Sequence, residues 1–177
     1  MRSGRQTERL FFALLPEPDT AQAIAYHADQ LSPANGRKVK RENLHITLLF
    51  LGNVDHAVKD RLCSDCDELT FPTFDIEIDR AGWWKKAGIL WLGPKTLPAT
   101  LKALHDSLLA IACQCRLAVE NRPYAPHITL MRKVSQAPPQ PVVNPFTWHV
   151  KDFSLMQSIT HPVGVEYREL MSWSLLP

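Results

Sequence analysis

The sequence predicts an α+β protein with antiparallel or mixed sheets, and three observations support this fold class. Segments with helical periodicity alternate with apolar strand segments, but several strands follow one another directly, which disfavours a doubly wound parallel sheet. A short strand motif occurs twice, about half a chain apart. The sequence contains no glycine-rich phosphate loop of the dinucleotide or nucleoside triphosphate type.

Seven segments have the apolar content of β-strands. The first is stopped by Pro16 and Pro18, and the third alternates apolar residues with Asp75, Glu77 and Asp79, as a half-exposed strand does. The predicted strands cover residues 9–15, 44–51, 74–79, 88–93, 127–133, 146–155 and 163–175.

Three segments have the apolar spacing of amphipathic helices. Asp19 or Thr20 can cap the first of them. The periodic residues are Ala21, Ile24, Ala25, Ala28 and Leu31, then Val58, Leu62, Cys66 and Leu69, and finally Leu101, Leu104, Leu108 and Ala112. The predicted order is therefore strand, helix, strand, helix, two strands, helix and three strands.

The composition fits one globular unit. With 177 residues, 45% of them hydrophobic, the chain can form one domain or two intimately packed lobes, and we expect a flexible arm over residues 1–8 followed by a single domain over 9–177. The polar start and the absence of an apolar run of ~20 residues predict a cytoplasmic protein without a membrane anchor. We expect it to be a monomer. The net charge of only +2 disfavours a large duplex-binding surface and leaves room for a small phosphate pocket.

Four cysteines form two close pairs, Cys63 with Cys66 and Cys113 with Cys115. Both pairs fall in or at the end of helical segments that lack the turn residues of a zinc knuckle. We predict reduced structural thiols, with a metal site or a disulfide as the alternative.

One strand motif, His-Ile-Thr-Leu, occurs at residues 45–48 and again at 127–130, displaced by 82 residues. Strand side chains alternate between faces, so each copy projects an imidazole and a hydroxyl to one side, roughly 6.5 Å apart. A single histidine in an apolar strand is usually structural. Two identical copies at half-chain spacing instead favour a central groove, where both imidazoles meet one small ligand if the halves are related by an approximate two-fold axis.

Two imidazoles and two hydroxyls suit phosphodiester chemistry. A neutral histidine can act as a base while a protonated one acts as an acid, and the threonine hydroxyls can hold non-bridging oxygens. A strained cyclic phosphate needs no metal, so we predict no cofactor. A two-histidine metal site is the rival, but the motif offers no carboxylate at ligand spacing.

The motifs and their flanks resemble the two-histidine phosphoesterase superfamily. The similarity rests on Asn-Leu-His-Ile-Thr-Leu-Leu-Phe-Leu-Gly at 43–52 and Arg-Pro-Tyr-Ala-Pro-His-Ile-Thr-Leu-Met-Arg at 122–132, and extends to 9–13, 90–93 and the closing strands. Within it, the chain is most similar to the bacterial and archaeal RNA 2′,3′-cyclic phosphodiesterases, also called 2′-5′ RNA ligases.

This resemblance implies a LigT-like fold, two-lobed and pseudo-two-fold symmetric, with a central cleft and the helices outside. It implies hydrolysis of 2′,3′-cyclic RNA or nucleotide ends to 2′-phosphates, with His45 as proton donor, His127 as proton acceptor and Thr47 and Thr129 on the phosphate. Two alternatives remain: ligation, which is the reverse reaction, and a nucleotide- or RNA-binding module without turnover.

Arg132 and Tyr124 are further substrate-binding candidates. The resemblance favours a nucleotide contact for Arg132, although strand alternation places it on the face opposite His127 unless the strand twists or ends there. Tyr124, where the family often has phenylalanine, could stack on a base or pack on its own lobe. Met131 replaces a typically smaller residue and could narrow the base pocket.

Two basic segments could guide an RNA backbone, namely residues 37–41 and the Lys85-Lys86 pair beside Trp83 and Trp84. The alternative is that they are solvated loops. The remaining histidines have no repeated partner, and we predict structural or surface roles for them; they are His27, His56, His105, His149 and His161.

Overall fold

The computed structural model describes residues 7–31, 35–120, 122–136 and 143–177. Within these ranges the chain forms three α-helices, α1 (Pro18–Leu31), α2 (His56–Asp67) and α3 (Ala99–Gln114). It also forms ten strands: β1 (Thr7–Leu14), β2 (Arg37–Lys38), β3 (Ile46–Asp55), β4 (Phe74–Ile78), β5 (Arg80–Trp84), β6 (Ile89–Gly93), β7 (Ile128–Arg132), β8 (Phe146–Val150), β9 (Asp152–His161) and β10 (Gly164–Ser174).

Eight strands form one sheet in which β10, β9, β1, β3, β7, β6 and β5 are neighbours in that order and β2 also pairs with β7. The pairings among the strands of the described residues are antiparallel, and β4 and β8 form a separate two-stranded sheet. This confirms the α+β class with antiparallel sheets.

The three predicted helices are confirmed, and the strand predictions needed correction at four places. The first strand begins at Thr7, inside the predicted arm, whose first six residues lie outside the described ranges. Both β2 and β5 were missed. The predicted strand at 146–155 breaks at Lys151, because β8 pairs with β4 in the small sheet whereas β9 pairs with β1 and β10 in the large one.

The two halves of the large sheet meet where β3 pairs with β7. Ile46 lies opposite Ile128 at this junction, and both side chains are fully buried. They share one core with apolar residues of all three helices, such as Ile24, Leu62 and Leu104. The helices therefore cover this face of the junction, which leaves the other face for the histidines.

No helix of the described residues is long and apolar enough to span a membrane.

Candidate active site

The strand register brings the two His-x-Thr pairs together. In an antiparallel pair with Ile46 opposite Ile128, His45 lies level with Thr129 and Thr47 lies level with His127. Because the isoleucines point into the core, these four side chains project to the other face. All four line one cavity of about 700 Å³.

The same kind of hydrogen bond to the backbone orients both imidazoles. Nδ1 of His45 donates to the carbonyl oxygen of Asn43 at 2.7 Å, and Nδ1 of His127 donates to that of Ala125 at 2.9 Å. In each case the acceptor lies two residues before the histidine. With Nδ1 holding its proton on the backbone, Nε2 is the nitrogen that each ring offers to a substrate. The hydroxyl of Thr47 lies 3.1 Å from Nε2 of His45 and donates to it when the ring is neutral.

Burial makes both imidazoles harder to protonate. It lowers the pKa of His45 to about 4, and the charges of His127 and Arg132 act in the same direction against the Asn43 hydrogen bond. Burial also lowers the pKa of His127, together with the charges of Arg122 and Arg132 and against the Ala125 hydrogen bond. Both rings are therefore neutral near pH 7 in the protein alone.

Aromatic side chains that were not predicted as site residues pack against the histidines. His45 lies between Phe11 and Tyr167, with ring centroids 5.2 and 5.1 Å away. Trp84 contacts His127 edge to face, with centroids 4.5 Å apart. These contacts hold the ring planes in place. The sequence carries a weak signal for Trp84, which belongs to the predicted basic and aromatic segment, and none for Phe11 or Tyr167.

A β-bulge places Arg132 at the cleft, which corrects the alternation argument. The register between β6 and β7 shifts after Thr129, so Leu130 is an extra residue in β7. Leu130 and Met131 are both buried as a result, and Arg132 returns to the face that carries Thr129. Arg132 lines the cleft beside the histidines.

A second bulge of the same kind follows the first motif, and it brings to the cleft a residue that sequence reasoning missed. The register between β1 and β3 shifts after Thr47, so Leu48 and Leu49 are both buried and Phe50 returns to the cleft face. Phe50 is 49% exposed, lines the cleft and occupies the position equivalent to Arg132, five residues after its histidine. Two adjacent buried apolar residues after each threonine are the signal that could have revealed it.

Tyr124 lines the cleft but is held by contacts within the protein. Its hydroxyl donates to the carbonyl oxygen of Thr47 at 3.2 Å, and its ring stacks on His105 at 4.0 Å between centroids. His105 in turn donates from Nδ1 to the carbonyl oxygen of Leu48 at 2.8 Å. The Tyr124–His105 pair thus braces β3 where it carries Thr47, and one face of the Tyr124 ring is already covered.

Met131 and the cysteines lie outside this site. Met131 is only 2% exposed and packs in the main core, so the expectation that it narrows a base pocket was wrong. The four cysteines are free thiols. Among the described residues, no group of three or more histidine, cysteine, aspartate or glutamate side chains is placed to hold a metal ion.

Comparisons with known proteins indicate the family of this chain. A family model described as LigT like phosphoesterase matches residues 14–91. The RNA 2′,3′-cyclic phosphodiesterase of Escherichia coli is 35% identical over 173 residues, which cover 96% of this chain and 98% of that protein. The RNA 2′,3′-cyclic phosphodiesterase of Archaeoglobus fulgidus is 28% identical, covering 92% and 97% of the two chains.

A solved structure shows the same fold. The crystal structure of E. coli LigT complexed with 3′-AMP superposes with a TM-score of 0.90 at 31% identity, over 96% of this chain and 99% of that one. Sequence similarity over nearly the full length of both chains and the shared fold lead to one assignment. The chain belongs to the family of LigT-like phosphoesterases.

Proposed function

We propose that this protein hydrolyses the 2′,3′-cyclic phosphate at the end of an RNA strand and leaves a 2′-phosphate. The observation that carries the proposal is the register at Ile46 and Ile128, which sets two histidines and two threonines around one cleft. The names of the E. coli and A. fulgidus relatives, both RNA 2′,3′-cyclic phosphodiesterases, support this substrate class.

In the proposed reaction, the two imidazoles act on opposite sides of the phosphorus. Nε2 of His127 takes a proton from water as the water oxygen bonds to phosphorus. The bond from phosphorus to the 3′ oxygen breaks, and Nε2 of His45 gives that oxygen its proton. The hydroxyls of Thr47 and Thr129 donate to the non-bridging oxygens. The assignment of donor to His45 and acceptor to His127 rests on the family resemblance.

Arg132 contributes its charge to the same site. A phosphodiester carries one negative charge, and the guanidinium of Arg132 lies at the cleft where this charge would bind. Tyr124 acts through Thr47, since its hydroxyl holds the backbone of that residue. We therefore assign Arg132 to substrate binding and Tyr124 to positioning.

Product analysis with a cyclic-phosphate-ended RNA in excess chelator tests the proposal. The expected product carries a 2′-phosphate, which phosphorus NMR distinguishes from a 3′-phosphate, and the chelator should leave the rate unchanged. Loss of activity on chelation with recovery on adding zinc or manganese would instead support metal catalysis. A 3′-phosphate product would mean that the two histidines exchange roles. An added RNA with a 5′-hydroxyl end reports the reverse ligation in the same experiment.

A further inference from the structure

A second cavity, which we call the basic groove, continues the cleft on the side of β2 and the β9–β10 hairpin. Its volume is about 750 Å³, similar to that of the cleft itself. The two cavities share five wall residues, namely His45, Phe50, Thr129, Arg132 and Tyr167. A ligand in the cleft can therefore extend directly into the basic groove.

Positive charge is concentrated in the basic groove. Two glutamates, Glu42 and Glu166, line it together with six lysines and arginines: Arg9, Arg37, Lys38, Lys40, Arg132 and Lys133. With histidine neutral, the lining has a net charge of +4, whereas the whole chain has only +2. All other residues taken together are thus net negative, so the groove is a local site for a polyanion.

The positions of these charges are stronger evidence for a bound anion than their number is. Arg37 lies directly opposite Arg132 where β2 pairs with β7, and like charges at paired positions destabilise a sheet. Within the described part of the chain, neither arginine has an ion pair with a carboxylate, and the same holds for Arg9 and Lys133. A phosphate between the two arginines would relieve their repulsion.

Two hydrogen bonds connect the basic wall of the groove to the opposite wall, which the β9–β10 hairpin forms. Nη2 of Arg37 donates to the carbonyl oxygen of Val163 at 3.3 Å, and Nδ2 of Asn43 donates to that of Val165 at 3.2 Å. The tip of the β9–β10 hairpin is thus bonded to the segment before β3. Ser158 and Thr160 add hydroxyl groups to this wall.

From this arrangement we infer that the basic groove binds the phosphodiester backbone of the RNA on the 5′ side of the cyclic end. The inference rests on the proposed function. A 2′,3′-cyclic phosphate closes the 3′ end of a strand, so the remaining nucleotides all leave the terminal ribose through its 5′ oxygen. The groove gives that strand a charged path out of the cleft, which makes an oligonucleotide a better substrate than a cyclic mononucleotide.

The test compares two substrates on three proteins. The substrates are a 2′,3′-cyclic mononucleotide and a tetranucleotide with the same cyclic end. The groove variant carries Arg9→Gln and Lys133→Asn; both side chains are exposed and unpaired among the described residues. Asparagine suits position 133 because φ is +58° there. The control variant carries Arg61→Gln and Lys102→Gln, which remove equal charge from the outer helices α2 and α3.

The wild type and the control variant should prefer the tetranucleotide in kcat/KM. The groove variant should lose about tenfold on the tetranucleotide and keep its rate on the mononucleotide. The slope of log kcat/KM against log salt for the tetranucleotide should become shallower by about 1.4, since each lost phosphate contact on a single strand accounts for about 0.7. Equal losses on both substrates, or no loss on either, would overturn the inference.

A binding measurement separates this inference from the proposed function. Fluorescence anisotropy with a 5′-labelled tetranucleotide that ends in a 2′-phosphate reports groove binding without turnover. The groove variant should bind more weakly than the control variant. If the wild type turned over neither cyclic substrate, the proposed function would fail, and the anisotropy would still decide whether RNA binds in the basic groove. Equal affinities of the two variants would overturn the inference that RNA binds in the basic groove.

Discussion

The two halves of the sheet deliver the same motif on the same backbone and surround it with different side chains. Both histidines donate from Nδ1 to the carbonyl two residues before, and both motifs are followed by a bulge. Beyond the bulge, however, Phe50 occupies the position that Arg132 takes in the other half. His45 packs between two aromatic rings, and burial lowers its pKa to about 4, whereas His127 contacts Trp84 edge to face and has a pKa that burial and the charge of Arg122 lower.

This difference shows how a symmetric frame supports an asymmetric reaction. Strand pairing and the bulges determine where each functional group lies, and these backbone features are the same in both halves. Proton affinity depends on burial and neighbouring charge, which are side-chain properties and can diverge without moving the backbone. Substitutions at equivalent positions of the two halves distinguish the parts of the site that depend on the shared backbone from those that depend on the local side chains.

The largest effect should come from the histidines, which the two halves share. Replacing His45 or His127 by alanine should lower turnover by roughly 10² to 10⁴, the usual contribution of one acid or base. The double variant should be little worse than either single one, because the two groups act as a unit. Turnover of a cyclic mononucleotide measures this, with circular dichroism to confirm folding.

His149→Ala is the matched control for the histidine variants. His149 is exposed and pairs with Asp75 in the small sheet, away from the cleft. It should retain wild-type activity. Near-full activity in either His45→Ala or His127→Ala would refute the catalytic assignment.

The threonines should show the next largest effect and a difference between the halves. Thr47→Val and Thr129→Val should each lower kcat by about 10²–10³, as the loss of one oxyanion donor does. Thr47→Val should cost more, because the hydroxyl of Thr47 also contacts Nε2 of His45. Single-turnover rates at saturating substrate measure the loss. Equal kcat values for the two variants would show that the contact with His45 does not contribute.

Substitutions of Arg132 and Phe50, which occupy equivalent positions after the two bulges, should differ in their effect on kcat/KM. Arg132→Gln should lower kcat/KM by about 10- to 100-fold, since a charged hydrogen bond to the phosphate is lost. It should also raise the pKa of both histidines, because the charge of Arg132 lowers both. Phe50→Leu keeps an apolar wall and should leave kcat/KM close to wild type. A pKa that stays unchanged in Arg132→Gln would contradict the electrostatic role of Arg132.

The sequence predicted the fold class, the three helices and the four residues at the centre of the cleft, because each produces a periodic or repeated pattern. The sequence pattern alone could not place Arg132 on the cleft face, which only the family resemblance favoured, since period-two alternation assumes an unbroken ladder and Leu130 interrupts it. Nor could it predict β2, which has two residues and exists through its pairing with β7. Such features depend on contacts between distant segments.

The strand β5 shows a second reason for a missed element. Gly82 lies at its centre, and glycine is ordinarily a sign against a strand. In the structure, a Cβ at position 82 would lie 2.2 Å from the ring of Trp91 on the neighbouring strand, so glycine is required there by packing. That pairing also places Trp84 against His127. The aromatic surroundings of the histidines follow from cross-strand packing of this kind, which a single sequence does not reveal.

The smallest predicted effect is a shift between two pH profiles. In the protein alone, the pKa of His45 is about 4 and that of His127 lies below 6.5. If His45 is the acid and His127 the base, the active form of the free protein is most populated between these two values. The pH optimum of kcat/KM, which reports the free protein, should therefore lie below 6.5.

The kcat profile, which reports the substrate complex, should extend to higher pH than the kcat/KM profile. A bound phosphodiester places a negative charge beside both imidazoles and favours the protonated form of each, so the higher apparent pKa of the pair, which sets the alkaline limb, moves upward once substrate is bound. Both profiles can be measured with a 2′,3′-cyclic mononucleotide. His45→Asn removes the acid and should flatten the alkaline limb, whereas His127→Asn should flatten the acid limb. If the alkaline limbs of kcat and kcat/KM coincide, the bound substrate does not raise the higher apparent pKa of the histidine pair, and the phosphate charge does not set the protonation of the site.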